Sequence, residues 1–213
     1  MTLDGAMRAR LRIVRAEATD ENLQVVLRLI DEAAQWLRTK DTDQWALPWP
    51  DPISRNERVR RGLDGNKTWF VQDEARNTLA TVTIATHANH DVWPAWAWAD
   101  ESTHNSDAVY VHRLIVARGQ AGNGLGEDLF DWAGQRAARQ YGAKWIRIDV
   151  WTSNSDLHKY YESKGFKPAG FCADRKYPSG ALFEKEVSRI AEDFQPQFRD
   201  ADLSPFTWLT AGE

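Results

Sequence analysis

The sequence predicts an α/β (α+β) protein whose mixed sheet is flanked by helices, and three observations carry that prediction. Leu23, Val26, Leu27, Ile30, Ala34 and Leu37 recur at helical spacing, as do Leu125, Leu129, Trp132, Ala133 and Ala137. Short β-rich or alternating runs occupy 68–72, 79–86, 109–116, 145–151 and 181–187. Glycine and polar clusters separate these runs, as turns require.

In chain order, Leu11 to Ala16 reads as a first strand, and Thr19 or Asp20 caps the first helix. Residues 40–52 carry three prolines with Trp45 and Trp49, which predicts an ordered loop before a second short helix. Ser54 and Glu57 are spaced as a capping box for it. Asp73 to Asn77 is the polar turn of a hairpin between the strands at 68–72 and 79–86. His87 to Asp107 lacks a clean period and predicts a long loop. A strand at Val109 to Val116 enters a glycine-rich turn, and a helix follows from about Gly124 to Tyr141. Trp145 to Trp151 alternates, with Ile146, Ile148 and Val150 on one face and Trp145, Arg147, Asp149 and Trp151 on the other. Ser155 to Lys164 forms a short helix stopped by Gly165, strand resumes at Phe166, and Ala181 to Val187 is the last strand. Residues 1–187 are expected to form a single domain, with 188–213 as a C-terminal extension that docks or is partly disordered.

A chain of 213 residues, 42% of them hydrophobic, buries a sizeable core. The net charge of -4 argues against nucleic acid, whose recognition rests on a basic stripe, and is compatible with a cationic small substrate. The single cysteine, Cys172, excludes an intrachain disulfide and a thiolate zinc cluster. Met1 to Arg15 contains no apolar run of signal or membrane-spanning length, so a soluble, cytoplasmic protein with no membrane partner is expected. Eleven tryptophans is high usage, and the pairs Trp45 with Trp49 and Trp96 with Trp98 fit either packing or an aromatic wall around a pocket.

The chemistry concentrates in Leu114-Ile115-Val116-Ala117-Arg118-Gly119-Gln120-Ala121-Gly122-Asn123-Gly124-Leu125-Gly126, a strand running through glycines into a helix. Glycine lets successive amides converge on an anion, and the helix N-terminus adds partial positive charge, so the turn suits a pyrophosphate. A Walker A loop would continue with Lys-Ser or Lys-Thr, whereas Glu127-Asp128 follows here. The dinucleotide pattern G-x-G-x-x-G fails because position 127 is Glu. A plain tight turn is the bland alternative.

This segment resembles the central motif of the GNAT superfamily, an L-x-V-like strand end followed by R/Q-x-x-G-x-G/A and a helix. Leu114-Ile115-Val116 and Gly124-Leu125-Gly126 match it, and Asn154, Tyr161 and Gly165-Phe166 follow in the family's order. The phrasing "YVHRLIV", "GLG..L..WA", "IRIDVW" and "YY...GF" is similar to an actinobacterial-type branch. The motif's opening Arg or Gln is Ala121 here, which leaves phosphate contact to backbone amides and to Arg118 or Gln120. The resemblance implies a GNAT fold with a mostly antiparallel twisted sheet whose two central parallel strands splay apart. It implies acetyl-CoA in the opening, paired with the backbone of Leu114, Ile115 and Val116 and gripped by Ala121, Gly122, Gly124, Leu125 and Gly126, with Asn154 and Tyr161 beside it.

The reaction so implied is direct attack of a neutral amine on the thioester, needing a base, oxyanion donors and an acid for the thiolate. Tyr161 matches the family's acid, with Tyr160 expected to take the packing role. His112 is the first candidate base, since simple alternation places it on the face of Leu114 and Val116; a β-bulge in the strand would move it to the other face, and a structural histidine is the alternative reading. Asp149 and Glu101 are weaker candidates, and Asp149 has Arg147 or Arg113 as expected partners. Asn154, or Ser155, caps the next helix. Cys172 reads as a small buried hydrophobe. His87, His90 and His104 fit no metal pattern, so no metal is expected. The expected function is N-acetylation of a small-molecule amine, since tryptophans at 45, 49, 93, 96 and 98 suggest a narrow pocket. The alternatives are protein or peptide acetylation and a non-catalytic acyl-CoA-binding module. Dimers are common among relatives, so a homodimer is possible.

Overall fold

A computed structural model describes residues 10–86, 107–172 and 176–202. The elements are β1 (Arg12–Arg15), α1 (Asp20–Leu37), α2 (Pro52–Asp64), β2 (Thr68–Gln72), β3 (Thr78–Ala85), β4 (Ala108–Val116), α3 (Leu125–Tyr141), β5 (Trp145–Val150), α4 (Ser155–Ser163), β6 (Lys167–Phe171), β7 (Ala181–Glu186) and β8 (Arg199–Asp200). The strands form one sheet in the order β6-β7-β5-β4-β3-β2-β1-β8. The β4–β5 and β1–β8 pairs are parallel and the others antiparallel. The mixed fold expected from the sequence is therefore present.

Helices cover both faces. On one side Val26, Leu27, Leu29 and Ile30 of α1 pack with Val59 and Leu63 of α2 over Phe70 and Ile115. On the other, Leu125, Leu129, Phe130, Trp132, Ala133 and Ala137 of α3 cover Val109, Val111, Ile146, Ile148 and Val150. The two buried stripes are the ones the helical spacing marks, and each excludes water from its face of the sheet.

Local chemistry sets the helix starts. Thr19 caps α1 by accepting from the Asn22 amide at 3.2 Å. The capping box expected at Ser54 and Glu57 is not the start of α2: Asp51 is the cap, its Oδ1 accepting from the Ser54 amide at 2.9 Å. Pro52 explains the earlier start, because its fixed φ suits the first helical position and its missing N–H needs no partner there.

Residues 188–202 join the same core. Phe198 is 3% exposed and meets Trp132 edge-on, with ring centroids 6.1 Å apart. Trp132 Nε1 donates to Asp200 at 2.9 Å, the Gln197 amide donates to Asp128 at 2.8 Å, and β8 pairs with β1. Removing the ring by Phe198→Ala should cost about 3 kcal/mol or more, read as a lowered urea midpoint. An unchanged midpoint would mean that the tail does not share the core's cooperativity.

Candidate active site

The central strands part. β4 and β5 pair only through Ala108↔Trp145, Val109↔Ile146 and Tyr110↔Arg147. Beyond Tyr110, β4 keeps its antiparallel partner β3 out to Val116, whereas its edge toward β5 has no strand beside it. An open strand edge of this kind takes an extended ligand by main-chain hydrogen bonds.

A bulge interrupts β4 at the same place. Thr83 faces His112 but Thr81 faces Ile115, so one extra β4 residue is accommodated between them, and Arg113 there has φ 47°. The bulge shifts the side-chain alternation. Val109 and Val111 face α3, and so do Leu114 and Val116. His112 falls on the opposite face, with Tyr110 and Asp149, so of the two alternatives for this strand the bulged one holds and simple alternation does not.

On that face His112 Nδ1 lies 2.9 Å from Asp149 Oδ1, and the Tyr177 hydroxyl donates to Asp149 Oδ2. Asp149 thus pairs with neither Arg147 nor Arg113. Arg147 instead donates to the Tyr110 hydroxyl at 3.0 Å and to Glu184 at 3.4 Å. Burial alone would raise the Asp149 carboxyl, but the hydrogen bond and charge of His112, with the Tyr177 bond, outweigh it and hold the carboxyl below its ordinary range. Burial, followed by the Asp149 charge and hydrogen bond, pushes the Tyr177 phenol well above its ordinary value. An ionised carboxylate accepts from both neighbours, which puts the neutral imidazole's proton on Nδ1 and leaves Nε2 able to accept one. Tyr177 was not legible in the sequence, since it sits in a Tyr-Pro-Ser-Gly turn with no period to mark it.

A cavity of about 300 Å³ opens where β4 and β5 diverge, and it passes through the sheet. Ile30, Ala34, Trp45 and Trp49 line it on the α1–α2 side, and Phe130, Leu157 and Tyr161 on the α3–α4 side. Trp49 stands edge-on to Tyr177, with ring centroids 5.0 Å apart. The loop after α1 is tied to the start of α4: Asp43 accepts from Trp151 Nε1 at 2.8 Å and from the Ser153 hydroxyl, and Asn154 donates to Gln44 at 2.6 Å. Asn154 also caps α4 by accepting from the Leu157 amide at 3.0 Å.

Tyr161 reaches the cavity from α4 through an aromatic cluster, with ring centroids 5.7 Å from Phe130 and 5.6 Å from Phe166. The packing role expected of Tyr160 belongs to Tyr161, for Tyr160 is 42% exposed. Burial pushes the Tyr161 phenol far above its ordinary value, which keeps it protonated. Its hydroxyl has no hydrogen-bond partner among the described residues.

The glycine turn lies at the end of β4. Gly122 and Gly124 have φ of 85° and 81°, a region that side-chain-bearing residues rarely adopt. Gly124 caps α3 with no side-chain hydrogen bond. Among the described residues no protein acceptor takes the amides of residues 122–127. The two acidic side chains of the first turn are engaged elsewhere, Glu127 by Lys164 at 2.6 Å and Asp128 by the Gln197 amide. Free amides, a helix N-terminus and an open strand edge in continuous order fit the phosphates and extended arm of coenzyme A. Arg118 stacks on Trp36, its guanidinium carbon 3.8 Å from the ring centroid, at the same end of the sheet.

His87, His90, His104, Glu101 and the tryptophans at 93, 96 and 98 lie outside the described residues. Among the described residues no group of three His, Cys, Asp or Glu is placed to hold a metal, and no helix is long and apolar enough to cross a membrane.

The lowered Asp149 carboxyl gives a sign for acid stability. The folded state binds fewer protons here than the unfolded chain, so the contribution is present above about pH 4 and disappears as pH falls through the lowered folded value. Wild type should therefore lose stability more steeply than Asp149→Asn as pH is lowered from about 5 toward 2, measured as urea midpoints; parallel curves would show that the pair is not protonation-linked to folding.

Residues 49–174, more than half of the chain, match the Acetyltransferase (GNAT) domain family. The chain is 29% identical over 174 residues to the "Uncharacterized N-acetyltransferase YesJ" of Bacillus subtilis (strain 168), covering 80% of this chain and 88% of that protein. Among solved structures, a GNAT acetyltransferase from Listeria monocytogenes superposes with a TM-score of 0.57 at 20% identity, over 82% of this chain and 94% of that one. The PaiA N-acetyltransferase of Thermoplasma acidophilum, in complex with coenzyme A, gives a TM-score of 0.57 at 14% identity, over 83% of this chain and 98% of that one. Sheet order, the parted parallel strands, the glycine turn and the family match agree: the chain belongs to the GNAT family of N-acetyltransferases and is an acyltransferase.

Proposed function

We propose that the protein transfers the acetyl group of acetyl-CoA to the primary amine of a small molecule by direct attack, in the cytoplasm. The observation that carries this reading is the cavity through the sheet, which brings the His112–Asp149–Tyr177 chain and Tyr161 to one space beside the open edge of β4. Its size, about 300 Å³, and its walls of Trp45, Trp49 and Leu47 favour a small acceptor over a peptide.

Bound acetyl-CoA supplies an activated acyl carbon and a thiolate leaving group. The main-chain groups of Leu114, Ile115 and Val116 orient its arm along the strand edge, and the amides of Gly122, Gly124, Leu125 and Gly126 take the phosphates with no side chain from Ala121. Asn154 holds the start of α4, and with it Tyr161, at the gap. His112 Nε2 accepts the proton lost by the amine nitrogen as the C–N bond forms, while Asp149 and Tyr177 fix the ring and its tautomer. Tyr161 gives its hydroxyl proton to the sulfur as the C–S bond breaks. The burial that keeps this phenol protonated would equally destabilise a bare thiolate beside it, so proton donation and bond cleavage favour each other.

Tyr161→Phe should lower kcat about 10²-fold or more while the affinity for acetyl-CoA stays within a few-fold, measured by thiol release and calorimetry; unchanged turnover removes Tyr161 from the chemistry. His112→Ala should abolish the lower limb of the pH–rate profile, and a limb that persists rules His112 out as the base. Gly124→Ala, which forces a side chain into φ 81°, should raise the KM for acetyl-CoA about 10-fold with little change in kcat. Calorimetry showing no association of the folded protein with coenzyme A or acetyl-CoA would overturn the reading entirely.

A further inference from the structure

The acceptor side of the cavity is positively charged, against the sign of the whole chain. The chain carries a net charge of -4, yet the cavity is lined by Arg55, Arg58 and Arg113, and among the described residues its one acidic lining residue is Asp149. Asp149 already accepts from His112 and Tyr177. Arg55 is paired with Asp31 at 3.0 Å. Arg58 stacks on Trp49, its guanidinium carbon 5.1 Å from the ring centroid, and donates from one nitrogen to the Trp49 carbonyl, which leaves further N–H groups for a ligand.

Arg113 is the more telling of the two. It occupies the bulge, at φ 47°, so the backbone adopts a conformation costly for a long side chain and aims that side chain into the cavity. Among the described residues its guanidinium has no hydrogen-bond or ion-pair partner. Burial, then the like charge of Arg58, makes its charged form less favourable than usual. Two neighbouring guanidiniums in a partly desolvated cavity, one with no acceptor among the described residues, form a site for an oxyanion. The phosphates of coenzyme A are drawn instead to the glycine turn beyond Val116, whereas Arg113 adjoins the base His112.

We propose that the acceptor is an amino acid or a close analogue, its carboxylate held by Arg113 and Arg58 and its amine presented to His112. The proposal rests on the N-acetyltransferase reading and narrows it to one substrate class. Arg113 and Arg58 are binding residues in this scheme, and the apolar walls of Trp45, Leu47 and Trp49 receive the side chain.

The experiment measures thiol release from acetyl-CoA by the full chain with leucine, methionine and phenylalanine, each beside its carboxamide and its decarboxylated amine, at matched concentrations of neutral amine. At least one acid should exceed both partners in kcat/KM by about 10- to 100-fold. Arg113→Gln should narrow that ratio to within about 3-fold, mainly through KM, and Arg113→Lys should restore part of it. The wild-type panel stands even if a variant fails to fold. Amides or amines turned over as well as the acids, or a ratio that survives Arg113→Gln, overturns this inference and leaves N-acetylation intact. Coenzyme A binding with no turnover of any amine overturns the proposed function and this inference with it.

Discussion

One inserted residue in β4 is the constraint on which the site depends. The bulge at Arg113 turns the alternation of the strand, so that Val111 and Leu114 both face α3 while His112 and Ile115 face α1 and α2. The same kink accompanies the loss of pairing with β5 after Tyr110. A regular strand would leave His112 with Tyr110 and Asp149 but would turn Leu114 and Val116 onto that same face, away from α3. The packing of Leu114 and Val116 under α3 and the placing of an arginine in the cavity wall are two results of a single irregularity.

Much of the fold was legible. The stripes of α1 and α3, the hairpin of β2 and β3, and the alternation of β5 follow from apolar spacing, which burial enforces directly. The glycine turn was legible because positive φ and unobstructed amides restrict the residue type, as at Gly122 and Gly124. The start of α2 was misread because Asp51-Pro52 competes with Ser54, and only the folded geometry decides which oxygen meets the amide. The sequence leaves the relation of His112 to Leu114 open between a regular and a bulged strand, because a bulge leaves no mark in a pattern of period two and Arg113 is not a residue whose type announces a positive φ. Tyr177 was invisible, because its link to Asp149 joins a turn to a strand well separated in sequence.

The polar face of β5 finds its explanation in these contacts. Arg147 is 1% exposed, and so deeply placed a charge is tolerated only with partners, which Tyr110 and Glu184 provide. Asp149, two residues on, draws its partners from β4 and from the turn before β7. The strand thus carries a buried arginine at one position and, at the next position on the same face, the carboxylate that holds His112 and Tyr177.

The tie between the α1–α2 loop and the head of α4 has a consequence for how such a protein changes over generations. Gln44, next to Asp43, lines the cavity, while Trp151, Ser153 and Asn154 lead directly into the helix bearing Tyr161. Altering that wall to admit a different molecule would also move the mooring of the helix that carries Tyr161, the proton donor of the proposed mechanism. In that mechanism selectivity and speed would be mechanically joined, and drift toward a new metabolite would proceed most easily through Trp45, Leu47 or Trp49, which shape the wall without bearing on that mooring.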